Sequence, residues 1–107
     1  MSLIARFDGN MNVIGRLLKE YRIKRDLSYE KLSAKLELMG ISIHKQSLYD
    51  IENNKRTVKD YELFGIAHVL GIDVNDLLKD ISKKFFKKWI LKKYLIYNKK
   101  YSILYLA

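Results

Sequence analysis

In the run His44-Lys45-Gln46-Ser47-Leu48-Tyr49-Asp50-Ile51-Glu52-Asn53-Asn54-Lys55-Arg56, two aliphatic residues, Leu48 and Ile51, stand three apart among polar neighbours. That spacing places both on one side of a helix. The rest of its surface then offers amide, hydroxyl, ammonium and phenol groups. A helix so short and so polar outward is suited to lying in a DNA major groove, where such groups meet base edges.

Working outward, residues 27–78 read as four short helical segments punctuated by Gly40, Asn53-Asn54 and Gly71. Ser28 is a good N-cap for the segment before the polar helix, with Glu30 in its first turn and Leu32, Leu36 and Met39 on its buried side. Gly40 can take the left-handed conformation that ends it, and Ile41-Ser42-Ile43-His44 turns the chain. After the polar helix, Asn53 to Thr57 contains no apolar residue and is expected to be an exposed loop, asparagine tolerating positive φ better than most residues. Asp60 is then expected to cap a helix whose stripe is Leu63, Ile66, Ala67 and Leu70. Asp73, with Asp76 three residues on, starts a short one carrying Val74, Leu77, Leu78 and Ile81. Upstream, Asn12 is the expected cap of a first helix running to about Arg25, with Ile14, Leu17, Leu18 and Tyr21 at i, i+3, i+4, i+7. Arg16, Lys19, Arg22 and Lys24 fall mostly off that stripe, as a solvated basic face would. Five amphipathic helices can bury their stripes only against each other, and no segment before Ile81 asks for a strand. The expected fold is all-α. Residues 1–11 show no period, and Gly9-Asn10 suggests a flexible entry; residues 12–80 form the helical domain and residues 81–107 an extension.

Composition narrows the function classes. With 107 residues, about half of them apolar, there is material for one small core. The absence of cysteine and the presence of only two histidines, His44 and His68, argue against disulfides, thiol catalysis and most zinc sites, so no cofactor or metal is expected. Neither a Gly-rich phosphate loop nor a Gly-x-Ser-x-Gly elbow is present, and no enzyme activity is expected. No apolar run approaches a membrane span, and the start lacks a secretory pattern, which points to a cytoplasmic protein. Of the net charge of +9, residues 83–107 hold eight lysines and no acid, leaving +1 on residues 1–82. The helical part must therefore bind DNA through a local patch, while the tail is a polycation.

At Ile14-Gly15, Arg22, Leu27-Ser28, Leu32-Ser33, Leu48-x-x-Ile51-Glu52-Asn53-x-Lys55-Arg56 and Ala67-x-x-Leu70-Gly71-Ile72, the chain resembles the Xre family of helix-turn-helix repressors, which includes the phage Cro-like proteins. The likeness spans roughly residues 14–78. It implies a compact five-helix, lambda-repressor-like DNA-binding domain in which the second and third helices form the motif. It further implies that Lys45, Gln46, Ser47, Tyr49 and Asp50 face base edges and that the loop from Asn53 to Arg56 holds phosphates. Three features depart from the family pattern. Tyr29 stands where the family commonly has a glutamine braced on the DNA backbone, so its phenol is expected to take that place. His44 replaces the usual serine cap. About five extra residues separate Leu27 from the Ile-Glu pair, lengthening either the second helix or the turn.

Within that frame, Gln46 offers the donor and acceptor that pair bidentately with adenine, and is the first base-reading candidate. Lys45 can donate to guanine or phosphate, Ser47 to either, and Tyr49 can pack on a thymine methyl. Asp50 is expected to pair with Lys45 or Arg56 rather than face phosphates, and Glu52 with a basic residue of the first helix such as Arg22. Tyr29, Asn54, Lys55 and Arg56 are the expected phosphate ligands; replacing Arg56 by Ala is expected to weaken all sequences alike.

In the tail, lysine pairs alternate with apolar blocks, and periodicity fits either a helix or a hairpin of Tyr94 to Tyr97 with Tyr101 to Leu106. Seven aromatics in 25 residues are too apolar for a solvated arm. Burial in a homodimer interface is the leading expectation; flanking DNA, an anionic membrane or another protein are the competing partners. The expected function is a sequence-specific transcriptional regulator, a homodimeric repressor on palindromic double-stranded DNA. The alternative is an interaction module, an antitoxin or anchoring partner, whose tail binds its target.

Overall fold

The computed structural model describes Phe7, residues 9–81, Lys87, Ile90 and Leu91, and five named helices follow one another among these residues. They are α1 (Gly15–Lys24), α2 (Tyr29–Leu38), α3 (Lys45–Glu52), α4 (Asp60–Leu70) and α5 (Val74–Leu77). Lys79, Asp80 and Ile81 are again helical. Among the described residues there is no strand, only an isolated bridge between Phe7 and Asn10. The all-α expectation therefore holds. The helix or hairpin expected in the tail lies outside the described residues, apart from Lys87, Ile90 and Leu91, which are helical and exposed.

All five apolar stripes meet in one core. Leu18 of α1, Leu32 and Leu36 of α2, Leu48 and Ile51 of α3, Ile66 and Leu70 of α4 and Leu77 of α5 are fully buried. Helix α2 packs on α3 and α4, and α1 packs on α3, α4 and α5. The two inward residues of α3 are thus the anchor that their spacing implied.

Helices α1 to α4 all stop by the same device. The residue after the last helical pair turns left-handed: Asp26 (φ 53°), Gly40 (φ 80°), Asn54 (φ 60°) and Gly71 (φ 68°). In each case its N–H and the next one bond back to the final turn, as Gly40 N to Glu37 O (2.9 Å) and Ile41 N to Leu36 O (3.0 Å) show for α2. This satisfies carbonyls that have no partner within the helix. Gly40 and Gly71 adopt it without a Cβ penalty, whereas Asn54 and Asp26 use the short polar side chains that tolerate it best.

The helix starts follow the sequence less uniformly. Ser28 Oγ accepts from Lys31 N at 3.1 Å, and Asp73 accepts from Asn75 N at 2.8 Å while Asp76 accepts from Asp73 N at 3.0 Å. Asp60 is not the cap expected of it. It is the first helical residue of α4, Lys59 precedes it as N-cap, and the reach-back to Lys59 N (2.9 Å) comes from Glu62. At α1 the N-cap position falls on Ile14, yet Asn12 does the bonding: its Oδ1 accepts from Ile14 N (3.1 Å) and Gly15 N (3.0 Å).

The extra residues before the Ile-Glu pair are accommodated by a ten-residue α2 and the connection 39–44. That connection is part of the core: Ile41 and Ile43 are buried, and Ser33 Oγ donates to Ile43 O at 2.6 Å. Ile41 also lies over Gly65 of α4. A turn so filled fixes the angle between α2 and α3.

Gly15 sets how closely α1 approaches α3. A Cβ there would sit 2.5 Å from the Ile51 carbonyl oxygen and 2.9 Å from that of Glu52, both backbone atoms that no side-chain rotation can move. Gly15→Ala is therefore expected to push the two helices apart and to destabilise the fold by about 1–3 kcal/mol, the usual range for overpacking. Urea denaturation measures it; an unchanged midpoint would show that the approach is not tight in solution.

Candidate nucleic-acid interface

Burying Leu48 and Ile51 turns the opposite side of α3 outward. Lys45, Gln46 and Tyr49 are exposed, Ser47 and Asp50 half-buried. Lys45, Gln46, Ser47 and Tyr49 are the expected base-reading residues, and they stand together on one short surface. Their mutual contacts are weak. Gln46 Nε2 donates to Asp50 Oδ1 at 3.2 Å, one turn along the helix. Lys45 pairs with Glu30 of α2 at 3.1 Å rather than with Asp50, a correction to the expected pairing. Exposed pairs of this kind contribute about 0–1 kcal/mol and are exchanged readily for a ligand.

Behind this surface lies a buried ionic cluster. Glu52, whose side chain is 0% exposed, receives Arg22 Nε at 2.7 Å and Nη2 at 3.2 Å. The expected Arg22 partnership is therefore present, and Arg22 is not part of a solvated face. Arg22 Nη1 also donates to Leu27 O at 2.9 Å, closing the end of α1. Tyr29 supplies the third donor, its hydroxyl giving its proton to Glu52 Oε1 at 2.8 Å. The Arg22 guanidinium lies 4.1 Å from the centre of the Tyr29 ring. The hydrogen bond to Glu52, against the opposing cost of burial, holds the Arg22 guanidinium above its ordinary range. Burial, followed by the Glu52 carboxylate, pushes the Tyr29 phenol up, so it remains a donor at neutral pH. The cluster ties α1, α2 and α3 at the base of the outward surface.

The four expected phosphate ligands have different partners within the fold. Tyr29 has its single proton committed to Glu52. Asn54 accepts from Met11 N at 2.7 Å and Asn12 N at 3.2 Å, while its Nδ2 donates to Asn10 Oδ1 at 2.8 Å. Arg56 forms a two-pronged pair with Glu62, Nη1 to Oε1 at 3.0 Å and Nη2 to Oε2 at 2.8 Å, and also donates to Thr57 O. It does not pair with Asp50. Lys55 stands exposed with its ammonium 5.6 Å from the centre of the Tyr49 ring. Asn54 and Arg56 thus shape the loop, Tyr29 joins the ionic cluster, and Lys55 offers its charge outward.

Sequence reading missed the roles of Glu62 and Asn10, and the second role of Asn12 beyond capping α1. Glu62 is 2% exposed in a helix whose apolar stripe accounts for the other buried positions. Burial, the largest influence, raises its carboxyl, but Arg56 and the Lys59 N–H outweigh that and leave it below the ordinary carboxylate range. Asn12 Nδ2 donates to Ile51 O (2.9 Å) and Arg56 O (2.8 Å), so one side chain caps α1 and holds both ends of the loop after α3. The described end of the expected flexible segment is tied down here, Phe7 and Asn10 exchanging backbone bonds of 3.2 and 2.9 Å. The clue was the density of asparagine at positions 10, 12, 53 and 54, in segments too polar to pack.

Arg16 is exposed, as expected, and forks onto Asp80 at 2.7 and 2.8 Å. Among the described residues no group of His, Cys, Asp and Glu is arranged to hold a metal, and no helix is long and apolar enough to cross a membrane. A family model described as helix-turn-helix matches residues 18–77, which include all of α2 to α5 and most of α1. Comparison with curated proteins and with solved structures returned no match.

Proposed function

We propose, since this chain belongs to the Xre, Cro-like helix-turn-helix family, that it is a sequence-specific transcriptional repressor acting as a homodimer on palindromic DNA inside the cell. DNA binding by the helix-turn-helix domain follows from the family. The observation that carries the finer reading is the surface of α3, where Lys45, Gln46 and Tyr49 project beside Ser47 while Leu48 and Ile51 are wholly buried. Such a helix presents donors, acceptors and a ring edge to the major groove from a fixed base. In this reading Gln46 pairs with adenine, Lys45 with guanine or phosphate, and Lys55 holds a backbone phosphate. Tyr29, Asn54 and Arg56 serve by shaping the surface. A two-fold dimer would place two α3 helices about 34–36 Å apart along the duplex. The polycationic tail is proposed as the dimerising element.

Selection from a randomised duplex library at two salt concentrations tests this. An inverted-repeat consensus retained at the higher salt is the expected result. Binding without consensus that disappears with salt would instead favour an interaction module that meets a protein or an anionic membrane through its tail. Within a selected site, Gln46→Ala is expected to relax preference at one position by about 1–3 kcal/mol, leaving other positions as they were. The readout is a panel of single-base variants, and an unchanged ranking would remove Gln46 from the readout.

A further inference from the structure

Tyr29 is surrounded on the side of the molecule where DNA is proposed to bind. Its hydroxyl proton goes to Glu52, one face of its ring is covered by Arg22, and its ring meets that of Tyr49 edge-on, with centroids 6.1 Å apart and planes at 79°. Tyr49 in turn is 40% exposed, with the Lys55 ammonium 5.6 Å from its ring centre and its carbonyl oxygen accepting from Asn53 Nδ2 at 2.8 Å. A series of contacts therefore runs from the buried carboxylate through Tyr29 to an exposed aromatic on α3. A hydroxyl that has given its only proton to a carboxylate has none left for a phosphate oxygen.

We infer that Tyr29 is a positioning residue for base recognition: it sets the pose of Tyr49 on the surface of α3 and so the sequence preference read there, without itself touching DNA. This rests on the regulator reading above. An aromatic pair in edge-to-face contact has a defined geometry, and a half-exposed ring held from behind meets a base edge with less freedom to lose on binding. A glutamine or any aliphatic residue at position 29 would leave Tyr49 without that partner.

The test uses the full chain, the consensus duplex selected by the wild type and its single-base variants, with Tyr29→Phe, Tyr29→Leu, Tyr49→Ala and the double variant Tyr29→Leu/Tyr49→Ala. Tyr49→Ala is expected to lower discrimination at one or two base pairs by about fivefold or more. Tyr29→Leu is expected to lower it at those same base pairs, and the double variant to discriminate no worse than Tyr49→Ala, since coupled residues are not additive. Tyr29→Phe, which keeps the ring, is expected to preserve every preference and affinity within about twofold. A uniform loss of affinity for all duplexes on Tyr29→Phe would mean that the phenol grips phosphate, and would overturn the inference even if Tyr29→Leu failed to fold. Additive effects in the double variant, or no effect of Tyr49→Ala on preference, would also overturn it while leaving a sequence-reading regulator in place. Absence of any wild-type consensus would remove the regulator reading and this inference together.

Discussion

Arg22→Ala is expected to cost about 3–5 kcal/mol of folding stability, the range found when one partner of a buried ion pair is removed. The reason lies on the other side of the pair. Glu52 has 0% side-chain exposure, and after the substitution only the Tyr29 hydroxyl would remain of its three donors. A domain of this size has about 5–15 kcal/mol in total, so the variant should show a large fall in its urea midpoint and a much lower thermal midpoint. The companion variant Arg22→Met/Glu52→Leu separates the two contributions. Replacing both charges with apolar groups is expected to recover most of the stability. A single variant as stable as the wild type would mean that Glu52 is solvated and that the cluster does not hold α3 in place.

The second large effect is expected at Arg56. By residue type it suggests a phosphate clamp, but its guanidinium is bound twice to Glu62, and that carboxylate has only 3% side-chain exposure. Arg56→Ala is expected to destabilise by about 3 kcal/mol, the lower end of the range for broken buried pairs, because Arg56 itself is 28% exposed. Loss of DNA binding would then arise through displacement of the loop. The pH dependence distinguishes this from a surface effect. In the wild type the Glu62 carboxyl is held below its ordinary value of 4.5. Its contribution is therefore present above that value and is lost as pH falls through the folded-state value. Without Arg56 its hydrogen bond and its charge are gone and the carboxyl moves up, so the variant gains less stability than the wild type as pH rises. The stability gap between wild type and variant should widen from about pH 4 to pH 7. Urea midpoints across that range measure it; a gap independent of pH would mean that Glu62 is not the group left unpaired.

Helix order, the all-α class and the position of α3 were legible because each depends on local rules. Apolar residues at helical spacing, Ser28 and Asp73 as caps, and Gly40, Asn54 and Gly71 as left-handed stops act over a few residues. Even the Arg22–Glu52 pair could be anticipated, since a carboxylate next to a buried Ile51 needs a cation from the neighbouring helix. The employment of the polar loop could not. Arg56, Asn54 and Tyr29 have side chains equally suited to a phosphate or to an internal partner. The choice depends on Glu62, Asn10, Asn12 and Glu52, from 6 to 44 positions away and beyond any periodic signal.

What the chain's pattern determined alone is therefore a set of helices and the polar outer surface of α3, because burial of Leu48 and Ile51 on one side leaves Lys45, Gln46 and Tyr49 facing outward. Tertiary structure decided which charges remain available to a ligand. Bringing α1 and α2 against α3, and the start of α4 against the loop that follows α3, satisfies Glu52 and Glu62 with Arg22, Tyr29 and Arg56. A buried carboxylate claims its donors more strongly than a solvated phosphate can, since desolvation makes an unpaired charge far more costly inside the fold than at its surface.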